Sequence, residues 1–593
     1  MCANETLQGD QGTTLVPPWH KFLPPLYGTH TSSYLDIFRL LWLSVLLCGL
    51  TLGANASDFF NPVGGETWAV GSQHVVRWKP AALGPGTNLV AHYSSDEGAH
   101  WKAIPSVYLH PSRAELHWTI PGPPQENVRL RITNATSGVS ISTPTPFPFA
   151  ITPSQAVSNY QWTQVTAEVT YAPRDGAGAL TFQDRMFLLG GWHPGNKNDF
   201  PMICNNEVWS SQNGAAWTLV KPNSHLGPQF DRSADWEGRH TAGYVVHRDK
   251  MWIVGGDTNQ GHYQSDVWNS EDGQAWTWVN RDHPVPWGPR SLHHTTVFQD
   301  KIWVLGGQTM PAFAPSPEVF YRDLWTSGDG KTWSEVKPQK SYWSPRGMIG
   351  GSVTFRGRLW ILGGGTYDTP TTPTREYYND VWSTDDGVIW KEDLAQAPWD
   401  PRQFHHVAVY DGRMWVLGGY QGGDLNDVWY SADGTNWYRQ NRTPWQARHA
   451  ASVFVHDQAL WIAAGSCMTR DVWRLQRSTD PTYRAPLESV PRARAVVLLQ
   501  GLRQRKIFHF DEGNPQGNPT SFIRREGKPA DLFIFSEEFG LNYLDREGNN
   551  TYAEMRLLPT GDIQFSRWRD GGKSSVVHVD NDARPRQIIL QVN

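Results

Sequence analysis

Residues 413–437 read RMWVLGGYQGGDLNDVWYSADGTNW, and versions of this pattern return along the chain. Each version joins an apolar run ending in two glycines, an acid-apolar-Trp triplet, a tight turn and a later tryptophan. The paired glycines stand at 190–191, 255–256, 306–307, 363–364 and 418–419, with a decayed copy at Ala464-Gly465. The triplets begin at Glu207, Asp266, Asp323, Asp380, Asp427 and Asp471. Self-similarity at a spacing of roughly 45 to 65 residues indicates a repeat fold.

Each repeat predicts four antiparallel strands. An inner strand is followed by the strand that ends in Gly-Gly, the triplet strand and an outer strand that carries the later tryptophan. Five repeats hold an Asn-Gly or Asp-Gly pair before that tryptophan, which predicts a two-residue hairpin turn. Four antiparallel strands per repeat are typical of a propeller blade. The sixth repeat lacks an outer strand, and residues 161–165 (QWTQV), which mirror residues 216–220 (AWTLV), are predicted to complete it and remove an open edge.

The glycine pair, the Asp-Val-Trp triplet and the later tryptophan resemble the kelch repeat. The resemblance covers residues 158–475 and implies an all-β fold, with a six-bladed kelch β-propeller closed by its N-terminal strand. It says little about function, because kelch propellers include binding modules, oxidases and a sugar epimerase.

The N-terminal 56 residues are predicted to be an extension with an export signal. Arg39 precedes an apolar run at residues 40–52, and residues 54–56 (ANA) have the form of a signal peptidase site. The mature chain would start near Ser57 and be secreted, periplasmic or on the cell surface. The alternative is an uncleaved membrane anchor, although the apolar run is short for a span.

Further β-rich segments flank the predicted propeller. Residues 57–152, which open with NPVGGETW at 61–68, are similar to an immunoglobulin-like β-sandwich found in cell-wall and secreted proteins. Residues 476–493 are rich in proline and arginine and are interpreted as a linker. Residues 494–593 are predicted to form a β-rich domain of no recognised family.

Two cysteines follow the predicted cleavage site. Cys204 and Cys467 stand in equivalent loops of the first and sixth repeats, which become neighbours if the ring closes. Export permits a disulfide, so we predict a covalent clasp between them. The alternative is two free thiols that never meet.

Every repeat also carries an aromatic-x-x-Arg sequence just before its innermost strand. The arginines are Arg174, Arg239, Arg290, Arg346, Arg402 and Arg448. One interpretation places them in a ring around the channel mouth, where guanidinium groups bind carboxylate, sulfate or phosphate and the aromatics offer flat faces to sugar rings. The other interpretation makes both part of the repeat's own packing, with each arginine paired to a triplet acid.

Residues that break the repeat supply further candidates. The third and fifth repeats carry two consecutive histidines each, and His294 and His406 are candidate ligand contacts, with no metal site expected. Trp192 and Glu376 lie on loops that follow the glycine pairs. Those loops differ in length and open on one face, which predicts an asymmetric pocket there.

Composition limits the classes of function. The 593-residue chain has a formal net charge of -5, so no basic field points to nucleic acid. We expect a non-catalytic exported binding protein that recognises a carbohydrate, above all an acidic glycan, or a cell-surface protein. The alternatives are a sugar-modifying enzyme resembling the sialic acid epimerase type, and a protein-protein scaffold or assembly factor. No cofactor is expected, and a membrane contact is expected only if the signal segment stays uncleaved.

Overall fold

The computed structural model describes residues 58–483, except 82, 84–86, 105–108, 110–113, 194–203, 226, 258–261, 310–317, 348–350, 368–374, 441–442 and 481. Beyond residue 483 it describes the backbone of nine strands. The predicted export signal lies outside the described residues. The described part is all-β, as predicted, and contains no helix. It therefore contains no membrane-spanning helix either.

The first described segment consists of two sheets around one core. Its strands are β1 (Phe59–Asn61), β2 (Thr67–Ala69), β3 (Gln73–Trp78), β4 (Leu89–Ser94), β5 (Lys102–Ala103), β6 (Glu115–Thr119), β7 (Gln125–Asn134) and β8 (Phe149–Thr152). One sheet holds β1, β3 and β6, and the other has the order β2-β8-β7-β4-β5. Both contribute tryptophans to the shared core, with the rings of Trp68 and Trp118 6.1 Å apart. Its assignment to the immunoglobulin-like type stays a prediction.

Six antiparallel four-stranded arrangements follow, numbered here as sheets 1 to 6. Sheet 1 holds β10 (Gly178–Phe182), β11 (Arg185–Leu189), β12 (Val208–Ser211) and β13 (Thr218–Lys221). Sheet 2 holds β14 (Gly243–His247), β15 (Lys250–Asp257), β16 (Tyr263–Ser270) and β17 (Thr277–Trp278). Sheet 3 holds β18 (His294–Phe298), β19 (Lys301–Leu305), β22 (Leu324–Ser327) and β23 (Ser334–Val336), beside the small pair β20 (Gln308–Thr309) and β21 (Val319–Phe320).

The remaining three sheets repeat this order. Sheet 4 holds β24 (Ser352–Phe355), β25 (Arg358–Gly365), β26 (Tyr377–Thr384) and β27 (Trp390–Leu394). Sheet 5 holds β28 (His406–Tyr410), β29 (Arg413–Tyr420), β30 (Asp424–Ser431) and β31 (Trp437–Gln440). Sheet 6 holds β32 (Ser452–His456), β33 (Ala459–Ala463), β34 (Val472–Arg477) and, as its fourth strand, β9 (Tyr160–Thr166). The predicted pairing of residues 161–165 with the last repeat is thus present.

The glycine pairs join neighbouring sheets. A β-carbon added at Gly418 would lie 2.7 Å from the carbonyl oxygen of Arg448, so only glycine permits this approach of two backbones. The second glycine of each pair donates its N–H to the carbonyl of the next repeat's arginine at 2.8 to 3.1 Å. The donor–acceptor pairs are Gly191–Arg239, Gly256–Arg290, Gly307–Arg346, Gly364–Arg402, Gly419–Arg448 and Gly465–Arg174. The sixth of these bonds returns to sheet 1, an arrangement compatible with a β-propeller.

The outer turns differ from the prediction. Loops of five or six residues separate the triplet strands from the outer strands, and only the glycine of each Asn-Gly or Asp-Gly pair has positive φ. In sheet 5, Asp433 accepts two backbone N–H groups and Ser431 accepts the N–H of Gly434. Side-chain oxygens therefore hold the turn. The two-residue hairpin turns, with positive φ at both positions, instead join each inner strand to its Gly-Gly strand.

The N-terminal segment contacts the outer strand of sheet 5. Gln73 of β3 pairs with Trp437 of β31, and the N–H of Ala69 donates to Oδ1 of Asn436 at 2.7 Å. The edge of sheet 5 is covered in this way.

The C-terminal strands are β35 (Val496–Leu499), β36 (Phe508–Asp511), β37 (Thr520–Arg525), β38 (Leu532–Ser536), β39 (Gly540–Leu544), β40 (Asn550–Leu557), β41 (Ile563–Arg567), β42 (Ser574–Val577) and β43 (Gln587–Leu590). Strands β36 to β42 form one antiparallel sheet in sequence order, and β35 pairs with β43 in parallel.

Candidate functional site

The six arginines are buried and paired inside their own repeats. Each is at most 1% exposed, and each lies 2.5 to 3.0 Å from its triplet acid. Each also donates to the carbonyl of the first residue of the glycine pair, as Arg402 does to Gly418 at 3.0 Å. Burial alone would raise the pKa of the Asp427 carboxyl, but the Arg402 guanidinium holds that pKa below its usual range. The interpretation of these arginines as a ligand-binding ring is corrected, and the packing alternative describes them.

The aromatic residues three places before the arginines are core residues as well. They are Tyr171, Trp236, Trp287, Trp343, Trp399 and Trp445, and none is more than 2% exposed. Trp399, for example, meets the ring of Trp437 edge-on at 5.9 Å. Because these rings lie between neighbouring strands of the core, they do not rim a channel mouth.

The consecutive histidines are also inside the protein. His293 and His405 contact the carbonyls of Val254 and Leu362 through Nε2 at 3.1 and 2.9 Å. Burial lowers the pKa of His294 to about 3 and that of His406 to about 4. His294 is 1% exposed and His406 half-buried, and neither lines the cavity described below. Their proposed role as ligand contacts therefore has no support from their positions.

The predicted disulfide is not formed. Cys204 and Cys467 are both free. The Cys204 sulfur is buried and lies 3.6 Å from Nδ1 of His240, while the Cys467 sulfur contacts Oγ1 of Thr469 at 3.2 Å. Each thiol thus faces its own polar neighbour.

A cavity of about 510 Å³ lies where the loops of the six sheets meet. Trp192 lines it, as expected for a ligand contact, whereas the exposed Glu376 does not. Four lining residues directly follow their repeat's arginine: Asp175, His240, Ser291 and His449. Four directly follow the second glycine: Trp192, Asp257, Tyr420 and Ser466. The lining thus combines positions after the arginines with positions after the glycine pairs, and of the ligand-binding candidates named from the sequence it includes Trp192.

Residues two places after the arginines are linked by backbone hydrogen bonds, and four of them, Thr241, Leu292, Phe404 and Ala450, line the cavity. The N–H of Ala450 donates to the carbonyl of Phe404, Gly176 to Ala450, Thr241 to Gly176 and Leu292 to Thr241. All five have positive φ, between 47° and 59°. These bonds run from sheet to sheet, including from sheet 1 back to sheet 6. Leu292, Phe404 and Ala450 also share an apolar cluster with Tyr367 and Tyr420.

One wall of the cavity carries a fixed polar group. Nδ1 of His449 lies 2.6 Å from Oδ1 of Asp424, and the hydroxyl of Ser466 donates to the other oxygen of Asp424 at 2.7 Å. Burial lowers the pKa of His449, but Asp424 more than offsets that effect and raises it above its usual value. The His449 ring is therefore held in place by Asp424, and its protonated form is favoured by that carboxylate.

Aromatic side chains lie beside this group, with the ring of Tyr420 5.3 Å from that of His449. The guanidinium carbon of Arg375 lies 4.0 Å from the centre of the Tyr367 ring and 5.6 Å from that of Tyr420. Among the described residues, no three His, Cys, Asp or Glu side chains are grouped so as to hold a metal ion. The cavity thus combines charged groups with flat apolar faces, which suits a polar ligand.

Comparison with known proteins supports the repeat assignment. No family model matches the chain. It is 25% identical over 352 residues to the leucine-zipper-like transcriptional regulator 1 homolog of Drosophila melanogaster, covering 55% of this chain and 33% of that protein. It is 27% identical over 246 residues to alpha-scruin of Limulus polyphemus, covering 38% of this chain and 24% of that protein. It is 26% identical over 195 residues to kelch repeat and BTB domain-containing protein 12 of Danio rerio, covering 30% of each.

These matches span a third or less of each relative's own length. They nevertheless fall on kelch-repeat proteins, and the described part of the chain is all-β with repeated antiparallel sheets. Similarity to kelch-repeat proteins at low identity therefore suggests the kelch β-propeller family.

Proposed function

We propose that sheets 1 to 6 close into a six-bladed kelch propeller that binds a polar segment of a partner protein in the central cavity, without catalysis. The observation that carries this proposal is the cavity of about 510 Å³, lined by loop residues from all six sheets. Its lining mixes aromatic side chains with fixed charges, as binding pockets commonly do. The kelch-repeat relatives support a role in protein interaction.

A carbohydrate, and an acidic glycan in particular, is the second candidate ligand. Arg375 stacked on Tyr367 would supply a cation, and Trp192 an apolar face for a sugar ring. This candidate retains the predicted recognition of an acidic sugar by a guanidinium group and an aromatic ring. The residues that supply these groups would line the cavity instead of being the buried arginines.

Two selections on the purified protein separate these candidates. A phage-displayed random peptide library and a glycan array are each probed with the natural chain and with the cavity variants Trp192→Ala and Tyr420→Ala. Phe147→Ala is the matched control, because Phe147 is 67% exposed on the N-terminal segment. A peptide consensus that both cavity variants lose supports the protein-binding function. Glycan binding that both lose supports the second candidate. Binding that survives in both cavity variants contradicts a site in the cavity.

Export is part of the proposal, since a secreted or cell-surface location decides which partners are available. Expression with the natural N-terminus, followed by mass determination of the mature chain, tests it. A mature chain that begins near Ser57 supports export with cleavage. A chain that retains Met1 contradicts cleavage.

A further inference from the structure

One carboxylate of the cavity, that of Asp175, lies outside the ion pairs that the described residues form. Asp175 lines the cavity between sheets 6 and 2, and its backbone is held by hydrogen bonds to Trp192 at 2.9 and 3.0 Å. Among the residues that the structure describes, its side chain has no hydrogen-bond or ion-pair partner. Burial raises the pKa of the Asp175 carboxyl, although His449 and His240 oppose the effect. An acid desolvated in this way gains stability from any cation brought beside it.

The other charged groups of the cavity are already engaged. His449 is paired with Asp424, and Arg375 stacks on Tyr367. Asp257 is buried and has an interaction partner of its own. Asp175 therefore remains the acid of the cavity wall that makes no ion pair with a described residue, so a ligand complementary to it brings a positive charge.

Two buried hydroxyl groups point to the same kind of ligand. Thr241 and Ser291 line the cavity, and their buried hydroxyl oxygens have no hydrogen-bond partner within the described part of the chain. The two residues are 4% and 0% exposed. Buried hydroxyls without partners are uncommon, because leaving them unpaired costs free energy. A ligand with several N–H donors could satisfy both as acceptors.

We propose that the cavity binds the guanidinium group of an arginine side chain from a partner protein, with Asp175 as its counter-ion and Trp192 and Tyr420 as flat faces beside it. Guanidinium is planar, carries five donors in a fork and pairs with a carboxylate through two parallel bonds. It also stacks on aromatic rings, which an ammonium group does with less contact area. This inference deepens the protein-binding function proposed above and rests on it.

The first test uses small probes on the purified protein. Saturation-transfer difference NMR and calorimetric titration compare N-acetyl-arginine amide with N-acetyl-citrulline amide, which has nearly the same shape but no charge. We expect the arginine probe to bind at least about 10-fold more tightly, and Asp175→Asn to remove that difference. Asp249→Asn is the matched control, because Asp249 lies in the exposed turn between β14 and β15 at the other end of its sheet. The melting temperature of each variant is measured alongside.

The second test separates a side-chain ligand from a free small guanidine. The phage-displayed peptide selection is repeated with Asp175→Asn, and enriched peptides are synthesised with arginine or citrulline at the consensus position. An arginine fixed in the consensus, with binding lost on citrulline replacement and in Asp175→Asn, supports the proposal. Tight binding of the arginine probe with no enriched peptide overturns the side-chain source and leaves a small guanidine as the ligand.

Three further outcomes also decide between the proposals. Equal binding of the arginine and citrulline probes by the natural protein overturns the inference without reference to any variant. A peptide consensus that lacks a basic residue and is lost in Trp192→Ala but kept in Asp175→Asn overturns the guanidinium proposal and retains the protein-binding function. If neither probe nor any peptide binds, both proposals fail together.

Discussion

At the scale of the residue, the arginine–acid pairs are the most constrained chemistry in the molecule. Arg402 is fully buried and pairs with Asp427, which is 4% exposed and also accepts from Trp429. Arg402→Met would leave that carboxylate buried without its cation, so we expect a loss of about 3–5 kcal/mol in unfolding free energy. Urea unfolding measures it, with Arg232→Met as the control because the Arg232 side chain is 62% exposed. An unchanged unfolding midpoint would contradict a structural role.

The buried histidines make stability depend on pH. The ordinary pKa of histidine is about 6.5, and burial lowers that of His294 to about 3. Between these values the unfolded chain binds a proton that the folded protein does not, so stability is lost as the pH falls below 6.5. We expect His294→Leu to reduce this loss by about 1.4 kcal/mol per pH unit, seen in urea midpoints at pH 7, 6 and 5. His283→Leu, at an exposed position, serves as the control, and equal slopes for both variants would contradict the assignment.

The repeats could be predicted from the sequence, but the arginines chosen as ligand contacts lie in the core. Periodicity drew attention to Arg290 and Trp287, and both proved to be core. A residue that recurs in every sheet serves the packing that all the sheets share. The lining of a ligand pocket is instead formed by positions at which the sheets carry different residues. Ser291 and His449 directly follow the arginines that recur in each repeat, and the residue at this position differs from sheet to sheet. Comparing the positions next to the repeated residues would have found them.

At the scale of the element, the glycines of the outer turns allow each turn to pack against the neighbouring sheet. Gly434 has φ of 83°, and a β-carbon there would clash with the ring of Trp360 in the preceding sheet. Gly412 has φ of 68°, but a β-carbon there would meet nothing within 4 Å. Gly434→Ala therefore carries backbone strain and overpacking, and Gly412→Ala strain alone. We expect the first to cost about 1–3 kcal/mol more than the second in urea unfolding. Equal costs would mean that the turn does not pack against the next sheet.

Strand order was more predictable than turn type. The hydrophobic pattern and the triplets gave the four strands of each sheet in the observed sequence. The Asp-Gly pairs were interpreted as two-residue turns, but Asp433 accepts backbone N–H groups and so extends the loop. The true two-residue turns include Gln183-Asp184, which carries no glycine. Side-chain hydrogen bonds, and not the Asp-Gly dipeptide, therefore determine the conformation of the outer turns.

At the scale of the whole molecule, the contact between the N-terminal segment and sheet 5 could not be predicted. Ser72, His74 and Asn436 form a buried hydrogen-bonded group at that contact. None of them occupies a position that the repeat marks, because the contact occurs once in the chain. The pairing of residues 161–165 with the sixth repeat was predictable for the opposite reason: one strand of a regular set was missing, and its counterpart lay elsewhere in the sequence.

That pairing and the contact with sheet 5 join the N-terminal segment to the six sheets at two places. β9 pairs with β34 along Tyr160 to Thr166, and the N-terminal segment also holds β31 through Gln73. A protease site inserted after the exposed Glu168 would separate β9 from the chain that follows it. We expect the two fragments to co-elute in native size-exclusion chromatography and to separate in urea, because β-strand pairing and the sheet 5 contact persist without the peptide bond. Fragments that separate in native buffer would show that β9 is held by its covalent connection alone.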